Sequence, residues 1–348
     1  GEGLETALAS YGLKPHPRLR FDPLFAGTGP DAWRRRLRED DGIAPIRVSR
    51  GETGVALFDA IADEPRRPGE RRVLEQHRMC FDQPRPRPDP WRSPLARLRA
   101  RRQARALAAA ERRVLESVDG LVCVSAGLLE ACRAHARVTA PTLVLPGGAA
   151  PGGPPRPDAE RDLDVLYTGK LRRDKGVHVL IEAMARLPGR RLTVVGGWPA
   201  QIRELAEHAA RHGVAERVCF EGWVPPVRVR AFVERARVGV CPLTRGESVN
   251  ADRYTCPLKV LDWMAAGTPV VASDVAPVRA LLEAGVTGEL VAPNDPDALA
   301  EGIRRLLDDR ARAAAFARAA QARAEEFLWS RRGERLHGFL ASLRPEAA

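Results

Sequence analysis

From Leu163 onward the sequence alternates, almost without interruption, between short apolar runs and stretches with helical spacing. The runs are Leu163 to Tyr167, Leu192 to Val195, Val218 to Phe220, Val238 to Cys241 and Pro269 to Ala272. Helical patterns lie near 177–186, 200–212, 227–235, 257–266 and 277–284, and 296–343 reads as helix. Strands that are apolar throughout suit burial on both faces, and strands joined by helices run parallel. The pattern predicts a parallel α/β sheet covered on both sides.

The first of these strands leads into Thr168 to Gly176, Thr-Gly-Lys-Leu-Arg-Arg-Asp-Lys-Gly, and then into a helix with Val177, Leu180, Ile181 and Met184 on one face. Gly169 and Gly176 let the backbone approach a ligand closely, the helix start offers free N–H groups, and Lys170 and Lys175 add charge. Such a loop suits an anion of phosphate type; the plainer reading is a capped helix with two surface lysines. A second constellation spans Tyr254 to Ser273. Pro257 suits a first helical turn, Lys259 and Asp262 share a face three residues apart, Gly267 ends the helix, and a strand follows. A carboxylate near a helix start can accept hydrogen bonds from a ribose diol.

Charge enters through the lysines. The net charge is +11, which suggests a polyanionic or membrane-surface partner. Yet only four of 56 basic residues are lysine, so arginine content reflects coding habit and lysine placement is the better signal. Three of the four (Lys170, Lys175, Lys259) fall in the two constellations, and only Lys14 does not. Six cysteines without a Cys-x-x-Cys pattern indicate neither a zinc site nor a disulfide framework, and are expected to be reduced thiols. No apolar run approaches the ~20 residues of a membrane span and Gly1 onward lacks signal-peptide features, so a cytoplasmic location is expected.

The 348 residues allow two domains. Leu4 to Leu13 reads as the end of a helix, Arg18 to Leu24, Ile43 to Val48 and Arg72 to Leu74 as strands, and Gly54 to Ala62 as a helix. An opening strand with a Gly-rich turn is not visible, so the chain is expected to begin inside its first domain. The strand at Arg72 to Leu74 ends in Glu75-Gln76-His77, a polar trio where parallel sheets hold ligands. His77 is therefore a candidate, with a hydrogen-bonded structural histidine as the alternative. A Pro-rich loop, Gln83 to Pro94, precedes a basic amphipathic helix over 95–118. That helix suits an anionic membrane surface or is simply a solvated face. Gly120 to Ser125 and Thr142 to Leu145 read as strands around the helix Ala126 to His135, and Pro146 to Pro157 as the linker.

Gly169-Lys170, Asp174-Lys175-Gly176 and Pro257 through Leu261-Asp262-Trp263-Met264-Ala265-Ala266-Gly267-Thr268-Pro269 resemble the donor-binding half of the GT4 retaining glycosyltransferases of GT-B fold. Phe220-Glu-Gly-Trp223-Val224, Gly288-Glu-Leu-Val291 and Asp119-Gly-Leu-Val-Cys-Val-Ser125 extend the likeness. The resemblance implies two Rossmann-like domains with parallel sheets facing a cleft: an acceptor-side domain over 1–150, a linker over 151–160 and a donor domain over 161–328. A helix over 329–348 then crosses back, with Trp329 and Phe339 buried on the first domain. It further implies a nucleotide-diphosphate-sugar donor and a carbohydrate or lipid-linked acceptor, as in polysaccharide or glycolipid biosynthesis.

Lys170 and Lys175 fall on the diphosphate, His77 touches sugar or acceptor, Trp223 and Val224 border the base, and Gly169, Tyr254, Lys259 and Asp262 complete the donor site. Two positions depart from the family pattern. Asp262 replaces the ribose-binding glutamate, and Tyr254 stands where the first glutamate of Glu-x7-Glu is kept. Glu247, Asn250 and Lys259 are then the candidates for holding the sugar. No metal or other cofactor is expected. Asp162-Leu-Asp164 and Asp295-Pro-Asp297 fit an Asp-x-Asp metal motif but read as a strand entry and a helix start. A nucleotide-sugar epimerase and a non-catalytic nucleotide-sugar-binding or scaffolding protein are the competing readings. Nucleic-acid binding lacks a recognisable module or aromatic platform.

Overall fold

A computed structural model describes residues 46–50, 69–79 and 94–343, with single positions between 55 and 66. The elements expected at Leu4 to Leu13 and Arg18 to Leu24, Cys80 and most of the Pro-rich loop lie outside the described residues. The chain divides into two units, residues 147–331 and the remainder on either side.

The first unit carries β1 (Ile46–Arg50), β2 (Arg71–Gln76), α1 (Pro94–Ser117), β3 (Gly120–Cys123), α2 (Ala126–His135) and β4 (Thr142–Val144). The four strands are parallel in the order β1-β2-β3-β4. Strand β3 is buried along its whole length, as a fully apolar run in a covered sheet requires. Helix α2 starts where Ser125 Oγ accepts the Leu128 N–H at 3.2 Å, an N-cap worth about 1 kcal/mol. Helix α1 is asymmetric along its length: Val114 and Leu115 are buried, whereas residues 98–106 are all exposed except the half-buried Ala104.

The second unit runs β5 (Leu163–Thr168), α3 (Val177–Met184), β6 (Leu192–Val195), α4 (Pro199–Arg211), β7 (Val218–Gly222), α5 (Pro226–Arg235) and β8 (Ala236–Cys241). It continues with α6 (Leu258–Ala265), β9 (Val270–Ser273), α7 (Ala276–Arg279), β10 (Glu289–Val291), α8 (Pro296–Asp308) and α9 (Arg310–Ala324). All six strands are parallel, in the order β10-β9-β8-β5-β6-β7. Numbered from its own first strand, the sheet reads 6-5-4-1-2-3, the doubly wound Rossmann arrangement. The direction of winding reverses between β5 and β8, and the crevice at their carboxyl ends is where such sheets take ligands.

Two apolar layers flank this sheet. On one side Leu180, Ile181 and Met184 of α3 pack with Ile303 and Leu306 of α8. On the other, Trp263 and Met264 of α6 pack with Val278 and Leu281. Each fully buried large side chain contributes about 1.5–3 kcal/mol. Trp263 fixes the identity of its neighbour, since a Cβ at Gly239 would lie 2.7 Å from the indole ring. The edge strand β10 was not expected from the alternation. At three residues, pairing Leu290 with Ala272, it is too short to carry a periodic signal.

The last helix, α10 (Trp329–Ser342), leads back to the first unit. Phe339 and Leu340 pack with Val73, Val122 and Leu145, and Arg332 is buried with Nε 2.9 Å from the Pro146 carbonyl. Trp329 corrects the expectation placed on it. It lies in the second unit, half-buried against Gly148, because backbone bonds from Ala149 to Phe327 and Trp329 tie that segment there.

Candidate functional site

At the carboxyl ends of β5, β6 and β7 the backbone closes without side chains. Gly169 follows β5 at φ +128° and donates its N–H to Val195 O at 2.9 Å. Gly196 at φ +122° donates to Gly222 O at 2.6 Å, and a Cβ there would sit 2.1 Å from Gly169 O. The Gly196-Gly197 pair was missed as a site element, although two glycines directly after an apolar run were a legible signal. Trp198 and Trp223, which follow the β6 and β7 glycines, are 65% and 60% exposed, while Val224 packs into the core. Exposed tryptophans at this edge offer flat apolar surface to a ring ligand.

The turn Arg173–Lys175 ends in Gly176 (φ +71°), which opens α3. A Cβ on Gly176 would lie 1.6 Å from Pro242 O, so the loop is held against the segment after β8 at van der Waals contact. Gly176→Ala is expected to destabilise the protein by at least about 2 kcal/mol in thermal denaturation. Gly189→Ala, at a similar φ of +75° but with nothing within 4 Å, is expected to cost only about 1 kcal/mol. Equal losses at the two positions would mean that the contact with Pro242 contributes nothing.

Lysines gather around this turn. Lys175 Nζ lies 3.1 Å from Asp174 Oδ2, and the buried Asp174 is held on its other oxygen by Arg172 at 2.9 Å. From α6, Lys259 reaches the same place. A Cβ on Gly169 would lie 3.2 Å from its Nζ, and that Nζ stands 3.6 Å over the centre of the Tyr167 ring. The Lys259 ammonium is buried without a hydrogen-bond acceptor among the described residues. Burial draws it down to about 8; neighbouring Cys241 and Asp174 favour the charged form and Lys175 opposes it. Tyr167, whose phenol burial pushes well up, donates to Lys170 O at 2.6 Å and so fixes the loop backbone, while the Lys170 side chain is exposed. The structure thus brings Lys175, Lys259 and Gly169 together at the β5–β8 switch point, with Lys170 on the outer side of the same loop.

Asp262 is one turn beyond Lys259. It is exposed, and desolvation by the surrounding protein pushes its carboxyl up to about 6 against the pull of Arg230. Tyr254 is buried at the end of a π-helical turn, Asn250–Tyr254, closed by the Thr255 N–H on Asn250 O at 2.8 Å. Glu247 is paired with Arg173 at 2.8 Å. Around the same turn Thr244 Oγ1, Ser248 Oγ, Asn250 Oδ1 and Asp252 Oδ1 are buried without partners among the described residues. Thr244, Ser248 and Asp252 were not singled out from sequence. Only the packing of 242–252 beside the 174–176 turn, with the Thr244 N–H 3.4 Å from Asp174 O, shows them.

His77 belongs to the first unit, at the end of β2. Its Nε2 lies 3.0 Å from Glu75 Oε1, which Arg332 also contacts at 2.5 Å. The two Asp-x-Asp matches are committed to structure. Asp162 and Asp164 pair with Arg235 and Arg237, Asp295 caps α8 by accepting from the Asp297 and Ala298 N–H groups, and Asp297 pairs with Arg186.

Two Rossmann-like units, the second with its polar loops at the switch point, make this a GT-B protein. Its likeness to solved structures extends over nearly the whole chain. Sucrose-phosphate synthase from Thermosynechococcus elongatus superposes with a TM-score of 0.71 at 20% identity, covering 95% of this chain and 85% of that one. Anabaena Alr3699/HepE, solved in complex with UDP and glucose, gives 0.68 at 19% identity, covering 97% and 89%. Residues 162–309 match the family model of the glycosyl transferases group 1. Glycogen synthase of Mycobacterium tuberculosis (strain CDC 1551 / Oshkosh) is 33% identical over 190 residues, 49% of this chain and 44% of that protein. The chain spans less than half the length of that curated relative.

Proposed function

We propose that the protein transfers a sugar, with retention, from a nucleotide-diphosphate donor to a hydroxyl of a carbohydrate or lipid-linked acceptor. The observation that carries this reading is the buried, unpartnered Lys259 ammonium beside Gly169, with Lys175 in electrostatic reach. A desolvated cation without a hydrogen-bond acceptor is costly in a folded protein, and a diphosphate is a ligand whose charge answers it. The same lysines supply the positive charge that a divalent ion provides elsewhere. The unpartnered oxygens of Thr244, Ser248, Asn250 and Asp252 suit a hydroxyl-rich sugar, Asp262 suits a ribose diol, and Trp223 or Trp198 suits a base. The UDP bound in the Anabaena structure is consistent with such a donor.

In the reaction the anomeric C–O bond breaks with its electron pair passing to the departing phosphate oxygen. The acceptor oxygen bonds to the anomeric carbon on the same face, and its proton passes to that phosphate. Lys175, Lys259 and the N–H groups opening α3 stabilise charge that grows as the bond breaks.

Thermal-shift titration with nucleotides and nucleotide sugars tests the site. Diphosphates are expected to raise Tm in proportion to ln(1+[L]/Kd), and monophosphates much less. Equal shifts from both would remove the diphosphate from the site. Tyr254 and Asp262 at the two expected glutamate positions favour one second reading, a non-catalytic nucleotide-sugar binder. Donor hydrolysis and transfer, measured with acceptor omitted and added, separate the two.

A further inference from the structure

The contact between α3 and α4 holds a second cluster of chemistry that the donor site does not use. Glu182 of α3 and His208 of α4 meet with Oε1 and Nε2 3.1 Å apart. His212, four residues after His208 and ending α4, brings its ring to 4.5 Å from that of His208. One ligand atom from each of the three residues lies within 4.8 Å of the other two. His178, one turn before Glu182, packs edge-on to His208 at 6.4 Å and backs the cluster. The Glu182 and His208 side chains are 28% and 18% exposed and His212 is exposed, so the cluster opens to solvent on one side.

Two histidines four apart on one helix face form the spacing by which a zinc helix presents both imidazoles. Two imidazoles and one carboxylate are a donor set that Zn²⁺ accepts, with a water completing the tetrahedron. Zinc bonds of about 2.0–2.1 Å place neighbouring ligand atoms about 3.4 Å apart, a separation that the Glu182–His208 pair already meets. A ring nitrogen of the exposed His212 already lies within 4.8 Å of the pair, on a side chain that is free of the core. We propose that Glu182, His208 and His212 form a binding site for a divalent first-row cation, Zn²⁺ by its donor set, that staples α3 to α4. Helix α3 begins at Gly176, directly after Lys175, so the ion would tie the helix carrying the anion loop to its neighbour.

One side chain opposes the ion. Arg211 donates to His208 Nδ1 at 3.3 Å, which leaves the Nε2 proton facing Glu182. Metal binding moves that proton to Nδ1 and turns the exposed guanidinium outward.

Calorimetric titration of the full chain with ZnCl₂, paired with thermal denaturation, tests the site. One ion per chain and a rise in Tm are expected. His212→Ala is expected to weaken binding about 100-fold or more while leaving the metal-free Tm unchanged, because His212 is exposed. Glu182→Gln, which keeps the shape and can still hydrogen-bond His208, is expected to do the same. No stoichiometric binding by the wild type, or wild-type affinity retained in both variants, overturns the proposal; the second result would assign the ion to thiols or imidazoles elsewhere.

Discussion

Replacing Lys175 by alanine is expected to lower kcat for donor turnover by about 10²–10³-fold while weakening donor binding less than tenfold. Lys175 is largely buried and sits on the turn immediately before α3, where its ammonium already leans on Asp174 at 3.1 Å. In the ground state that carboxylate takes up much of its charge. As the anomeric bond breaks, negative charge shifts onto the phosphate oxygens, and a fixed cation is worth more there than against the intact donor. Arg172 remains on Asp174 in the variant, so no bare buried charge is left and folding should survive. A matched loss in ground-state binding and kcat/KM, with kcat unchanged, would reduce Lys175 to a binding residue.

Lys259→Met is expected to act in opposite directions on stability and binding. The folded-state value of about 8 lies below the ordinary 10.5 of lysine. The unfolded chain therefore binds more protons between those limits, and the penalty for the buried ammonium is complete below pH 8 and fades as pH rises toward 10.5. Methionine removes it, so the ligand-free variant should gain on the order of 2–3 kcal/mol at pH 7, a gain that shrinks above pH 8. Diphosphate affinity should fall in the same variant. In the wild type, affinity should be flat below pH 8 and weaken up to about tenfold per unit above it, because an anion restores the proton that Lys259 has lost. Denaturation of the two proteins at pH 7 and 9.5, with nucleotide titrations across the same range, gives both answers. A variant no more stable than wild type at pH 7 would mean that the ammonium is not desolvated.

The sheet of the second unit was readable because its central strands are largely buried, which writes them as short apolar runs set between stretches of helical spacing. The edge strand β10 escaped because three residues carry no period. The lysine pair was readable for a different reason: in a chain that writes its cations as arginine, a lysine stands out. Asp262 was readable as a carboxylate near a helix start on the face of Lys259, whereas Tyr254 could be assigned only by resemblance, since a tyrosine does not signal a ligand by itself.

What the sequence determined alone was therefore the class of fold and the loops that carry the lysines, through local period and residue choice. Only the tertiary structure decided which of those charges meet. Lys259 lies 84 residues beyond Lys175, and the two come within electrostatic reach because the winding of the sheet reverses between β5 and β8. Burial of the Lys259 ammonium, the unpartnered oxygens after β8, and the meeting of Glu182 with His208 and His212 all arise from contacts distant in sequence. A linear pattern does not encode desolvation, because desolvation is set by whatever the rest of the chain packs around a group.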